Sequence, residues 1–194
     1  MKLHQGLLKI DKLGLPHPEW QFVKYGKDLS NLKKISAYAG WTIRTMAVTG
    51  GQYKNIYANW LPRSQVIKKV DDFQKQLKGR GLFVVYPSWR WSVGGTLLIE
   101  KNQQTIEATK GSIVDLTRRG INECCYIFKK GKVESITGKK MLTKKLLNNL
   151  RPAIVGLNRG NYYLEWAVST QGKFIFYRLN DLKSEAKLLL SKYG

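Results

Sequence analysis

The stretch Asn161–Asn180 constrains this chain more than any other. Two alternating apolar runs joined across Ser169–Gly172 read as a β-hairpin, with a single carboxylate, Glu165, inside the first. Closing the hairpin at Val168 against Lys173 puts Leu164, Trp166 and Val168 on one face with Ile175, Tyr177 and Leu179. Glu165 then shares the other face with Phe176, Arg178 and Asn180. That polar row has two readings: a diagonal Glu165–Arg178 ion pair on a solvated sheet face, worth under about 1 kcal/mol, or part of a site.

At 194 residues, 43% of them hydrophobic, the chain is long enough to bury a core as one domain or two small lobes. No apolar run approaches the roughly 20 residues of a membrane span, and the N-terminus lacks the apolar core of a signal peptide. The expectation is a soluble cytoplasmic protein. Thirty-four Lys and Arg against thirteen Asp and Glu give a net charge of +21, so nucleotides, RNA or DNA, or an acidic protein are the natural partners. The charge is dispersed in doublets (Lys33-Lys34, Lys68-Lys69, Arg118-Arg119, Lys129-Lys130, Lys139-Lys140, Lys144-Lys145), which suit solvated helix faces as well as a nucleic-acid patch. Adjacent Cys124 and Cys125 cannot staple the fold and have no second pair for a zinc site. His4 and His17 offer little to a histidine metal site or a catalytic triad, and neither a Walker P-loop nor Gly-x-Gly-x-x-Gly occurs.

Along the chain, an amphipathic start over Leu7–Leu13 runs into Pro16 and Pro18, and Trp20–Lys24 is a short strand. Lys27–Ala39 is predicted helical and Trp41–Val48 a strand carrying Arg44, followed by the turn Thr49-Gly50-Gly51. Pro62 opens a helix to about Lys78, with Val66, Ile67, Val70, Phe73 and Leu77 on its apolar side. Strands follow at Leu82–Tyr86, Gly95–Lys101, Thr105–Ala108, Glu123–Lys130 and Lys132–Ile136. A helix over Met141–Leu150 is limited by Pro152, and a last helix takes Leu182–Lys192. This order predicts an α+β fold of two small lobes with mainly antiparallel sheet, divided as residues 1–63 and 64–194.

Laid end to end, several segments resemble the ATP-grasp fold, and within it the N-terminal nucleotide-binding domain of phosphoenolpyruvate synthase and pyruvate phosphate dikinase. They are Gly14-Leu-Pro16-His-Pro18 before a strand, Trp41-Thr-Ile-Arg44-Thr45, Thr49-Gly50-Gly51-Gln, the Gly94-Gly95 strand leading to Glu107-Ala-Thr-Lys-Gly111, and Leu164-Glu165-Trp166-Ala167 followed by Phe176-Tyr-Arg178-Leu-Asn180. The resemblance implies ATP as ligand with magnesium. It places Arg44, Glu107, Arg178 and Asn180 at the nucleotide and Glu165 at the metal, with a solvent-reaching or acid-paired arginine as the other reading of Arg44 and a structural role as the other reading of Glu107; Lys54, three residues past Gly51, either follows the turn onto a phosphate or is a surface lysine. Magnesium needs hard oxygen donors, yet Arg178 stands where the family has the second ligand, a Glu or Gln, and a guanidinium cannot ligate a metal. Asn180 stands where the dikinases have a catalytic Arg, and no residue of this chain is assigned a catalytic role.

Three functions are consistent with these residues: an ATP-dependent phosphotransferase or ligase with an altered metal site, an inactive relative binding nucleic acid through its basic surface, and a structural subunit of a larger assembly. Tyr86-Pro-Ser-Trp89-Arg90-Trp91, and Trp41, Tyr53, Tyr57 and Trp60, are either base-stacking platforms for single-stranded nucleic acid or core aromatics.

Overall fold

The computed structural model describes residues 3–29, 40–49, 55–111 and 113–183. In chain order its elements are α1 (Leu3–Lys12), β1 (Gln21–Val23), β2 (Gly40–Val48), β3 (Tyr57–Leu61), α2 (Arg63–Gln76), β4 (Gly81–Ser88), β5 (Trp91–Glu100), β6 (Gln103–Lys110), α3 (Ile113–Arg119), β7 (Cys124–Lys129), β8 (Lys132–Gly138), α4 (Lys144–Gly156), β9 (Tyr162–Ser169) and β10 (Phe174–Asp181). The fold is α+β with two antiparallel sheets. Two compact units result, one of residues 18–90 and one of residues 1–17 with 91–194. This division differs from the expected boundary at 63/64. The apolar stripe of α2 is buried in one cluster with Trp41 and Ile43 of β2 and Phe83 and Val85 of β4, so the helix belongs to the first sheet.

In the unit of residues 18–90 the strands lie in the order β1-β4-β2-β3. Val66, Val70, Phe73 and Leu77 of α2 are buried, while Ile67, expected on the same stripe, is exposed. Gln74 is a buried polar exception that satisfies itself on backbone: its Nε2 donates to the Lys24 and Gly81 carbonyls at 2.6 and 2.7 Å, and its Oε1 accepts from the Gly81 N–H at 2.8 Å. Strand β3 has no counterpart in the sequence reading; Tyr57 and Trp60 are exposed and Trp60 takes a positive φ of 62°, so the two-residue alternation is broken. Most of the predicted helix Lys27–Ala39, and Gly50, Gly51 and Lys54, lie outside the described residues, as does most of the predicted helix Leu182–Lys192.

The second unit carries a six-stranded sheet in the order β10-β9-β5-β6-β7-β8. Leu97, Ile106, Leu164 and Leu179 form one cross-strand row, with Trp166, Phe174 and Phe176 beside it on the same face, and all are buried. Helix α1 lies along β10 so closely that a side chain at Gly6 would overlap the Leu179 carbonyl. Just beyond it, the Phe176 N–H donates to the Pro16 carbonyl at 2.7 Å. Helix α4 starts at Thr143, whose hydroxyl accepts from the Leu146 N–H. It does not stop before Pro152 as expected but runs through it to Gly156, because Leu146, Leu150 and Ala153 continue one buried stripe past the proline. The seven-residue α3 was not foreseen, being too short to show a period. Gly94 admits it, since a Cβ there would come within 2.9 Å of the Ile113 backbone nitrogen.

Glu123, just before β7, fastens the ends of the two strands that flank β7. Its carboxylate accepts from Lys139 Nζ at 2.9 Å, after β8, and from the Lys110 N–H at 2.6 Å, at the end of β6. The Lys139 hydrogen bond, then the Lys110 N–H, lower its pKa from the ordinary 4.5 to about 2. A carboxyl acidified by folding contributes stability above its unfolded pKa and loses it as the pH falls through the folded one. The stability difference between the wild type and Glu123→Gln is therefore expected to be full above pH 4.5 and to vanish towards pH 2, read from urea melts across that range. A difference independent of pH would refute the assignment.

Candidate functional site

The β9–β10 hairpin closes differently from the simple two-strand pairing. The Ser169 N–H donates to the Lys173 carbonyl at 2.8 Å around a three-residue loop, with Gly172 at φ 80° supplying the left-handed position. Val168 then faces Phe174, and an irregularity between Phe176 and Arg178 shifts the pairing once more. Each shift of one residue changes the partner of every later position. Arg178 consequently stands directly opposite Glu165 rather than diagonally, Asn180 opposite Tyr163, and Ile175 rather than Phe176 shares the Glu165 face.

This register builds a contact. Arg178 Nη1 donates to Glu165 Oε1 at 2.9 Å, with the side chains only 19% and 9% exposed. The Tyr163 hydroxyl donates to the same oxygen at 3.4 Å, and its ring centre is 5.8 Å from the guanidinium carbon. The pair is therefore inside the protein, not on a solvated face. In that setting, removing one partner costs far more than the pair itself contributes.

The row continues across the sheet. Glu165 faces Thr96 of β5, Thr96 faces Glu107 of β6, and Glu107 faces Cys125 of β7. Thr96 Oγ1 donates to Glu107 Oε2 at 2.9 Å, and Asn122 Nδ2 donates to Oε1 at 2.9 Å, so both Glu107 oxygens have a donor. Thr96, Asn122 and Tyr163 were missed by the sequence reading. Parity along β5 and β9 carries a signal for Thr96 and Tyr163, whereas Asn122 lies in a loop and has none.

The structure thus brings together four of the predicted site residues, Glu165, Arg178, Asn180 and Glu107, on one sheet face. Arg44 belongs to the other unit, half-buried on the face of β2 away from α2. It stands opposite Tyr57 and Val84 there, near Thr42, whose Oγ1 lies 2.6 Å from Ser88 Oγ and donates to Asn59 Oδ1 at 3.2 Å. Lys54 lies outside the described residues. Of the aromatic candidates, Trp41 and Trp89 are buried, Trp91 stacks on Tyr177 at 6.0 Å, Tyr57 and Trp60 are exposed, and Tyr53 lies outside the described residues. Cys124 is buried and Cys125 partly so, and burial raises both thiols above their ordinary pKa.

The residues present do not fit a resident magnesium ion. No group of three or more His, Cys, Asp or Glu converges among the described residues. Glu165 gives Oε1 to a guanidinium and a hydroxyl and lies beside that fixed positive charge, and both Glu107 oxygens already accept a protein donor. Nor is any helix among the described residues long and apolar enough to cross a membrane.

No family model matches the sequence, and no curated protein sequence matches it significantly. Solved structures do. An ADP complex of PurK, an N5-carboxyaminoimidazole ribonucleotide synthetase, superposes with a TM-score of 0.57 at 11% identity, over 92% of this chain and 44% of that one. A RimK domain ATP-grasp protein from Sphaerobacter thermophilus gives 0.56 at 15% identity, over 93% and 59%. An L-amino acid ligase from Bacillus licheniformis gives 0.53 at 10%, over 92% and 42%. This chain therefore spans between two-fifths and three-fifths of the length of these structures, and over that span its fold is the ATP-grasp fold.

Proposed function

We propose that the chain is a nucleotide-binding unit of the ATP-grasp type that takes ATP or ADP, within a ligase or phosphotransferase whose metal site is altered. The observation that carries this reading is the polar row Arg178–Glu165–Thr96–Glu107, set into a sheet of a fold whose solved examples include ADP complexes. In this reading Arg178 and Asn180 present donors to the nucleotide, and Glu165 and Glu107 hold those donors and their neighbours in place. The basic chain attracts the polyanion at long range.

Calorimetric titration with ADP tests the proposal. Micromolar binding is expected, weakened at least tenfold by Asn180→Asp, which keeps the side chain's size and sets a negative charge against the phosphates. No heat at millimolar ADP would overturn it. A second reading rests on Lys129, Lys130, Lys132, Lys139, Lys140, Lys144 and Lys145, all exposed on or beside β7, β8 and the start of α4. They suit an RNA or DNA backbone, and binding of single-stranded RNA that falls steeply with salt in the absence of any ADP heat would favour it.

A further inference from the structure

We infer that Arg178 takes the place of a divalent cation at Glu165, so that this sheet face binds a polyphosphate nucleotide without a metal ion. The second half of that statement rests on the nucleotide-binding reading; the first rests on the Glu165–Arg178 geometry together with the resemblance that puts a metal ligand at each of these positions.

Two carboxylates and one divalent cation sum to zero charge. Glu165 and Arg178 sum to zero already, with Nη1 and Oε1 at 2.9 Å. The irregularity between Phe176 and Arg178 is what creates this equivalence. Had the pairing of Phe174 and Phe176 continued unbroken, Arg178 would stand opposite Leu164 on the apolar face, whereas the shifted register sets it directly opposite Glu165. Tyr163 fixes both partners, donating to the carboxylate and lying beside the guanidinium.

The second carboxylate of the row gives a metal no better foothold. Glu107 receives Thr96 on one oxygen and Asn122 on the other, so a cation settling there must displace a protein donor. At Glu165 it must settle beside the guanidinium in a poorly solvated place, where like charges repel strongly. Polyanion binding needs no such help, because a chain of net charge +21 supplies the attraction itself.

The first test uses magnesium chloride alone, with no nucleotide. The melting temperature of the wild type is expected to stay constant up to millimolar magnesium. Arg178→Glu, which puts a second carboxylate opposite Glu165, is expected to gain several degrees. Arg178→Gln, which keeps the length and hydrogen-bonding capacity while removing the charge, guards against a misfolded Glu variant and is expected to gain less. A magnesium shift in the wild type, or no shift in either variant, would overturn the inference. In the second test ADP is titrated in EDTA and in millimolar magnesium, with dissociation constants expected to agree within threefold. A tenfold weakening in EDTA would overturn the metal-free mode while leaving the nucleotide reading intact. Absence of ADP binding in both buffers would instead overturn the nucleotide reading, and the magnesium melts would still decide the role of Arg178.

Discussion

Glu165→Ala is expected to lower the melting temperature by on the order of 10 °C, because deleting one member of a buried ion pair costs about 3–5 kcal/mol. The expense lies in what is left behind. Arg178, only 19% exposed, would keep its charge at every accessible pH while losing the carboxylate 2.9 Å away. The Tyr163 hydroxyl would lose its acceptor in the same step. The double variant Glu165→Leu/Arg178→Met removes both charges together and is expected to recover most of the loss, since apolar replacement of a whole buried pair is often close to neutral. Thermal melts of the wild type and the two variants measure this. A Glu165→Ala loss under about 1 kcal/mol would match the pairs found on solvated faces and sink the buried reading.

Trp166→Ala is expected to cost about 3–5 kcal/mol in urea denaturation, the range for removing a large buried aromatic. The indole is fully buried and stacks on Phe174 at a centroid distance of 5.8 Å, and Phe174 in turn meets Phe176 edge-on at 5.0 Å. Its space is provided from β5. Trp166 faces Gly95, and any side chain at that glycine would overlap the indole and the Glu107 carbonyl. Shrinking Trp166 therefore opens a void that a neighbouring glycine cannot refill. Trp166→Phe keeps a ring in the stack and is expected to lose distinctly less. Equal losses for the two variants would show that neither the retained ring nor its volume contributes, and would sink this packing account.

Both residues were visible in the sequence, but their partners were visible only in part. The two-residue period of β9 and β10 separates Glu165 from Trp166 without any structural knowledge, and the period of α2 marks Val66, Val70, Phe73 and Leu77 as core. What periodicity does not encode is slippage. The left-handed Gly172 and the irregularity before Arg178 each displaced the pairing by one residue, turning a diagonal contact into a direct one and moving Phe176 to the apolar face. Short or irregular elements escaped for the same reason: seven residues of α3 complete about two turns, and β3 breaks its alternation at Trp60. Pro152 misled in the opposite direction, since a strong local signal for ending a helix yielded to burial of Leu150 and Ala153 on either side of it. The division into units was the least legible. It depends on which sheet an apolar stripe covers, and the stripe of α2 carries no mark of its destination.

The unit containing α1 is interrupted: its first 17 residues are separated from the rest by the whole of residues 18–90. On a ribosome, the intervening unit has all its strands once Ser88 has emerged, whereas α1 must wait for β10, whose Phe176 N–H takes the Pro16 carbonyl. Domains generally form as units during synthesis, those made first folding first. The inserted unit is thus placed to fold early, and the unit that holds Glu165 and Arg178 closes last, by joining the two ends of the described chain across a loop whose closure is entropically costly. The polar row across the large sheet is therefore completed after the inserted unit has its strands, and a nascent chain halted before β10 would carry a finished small sheet but a row that lacks Arg178.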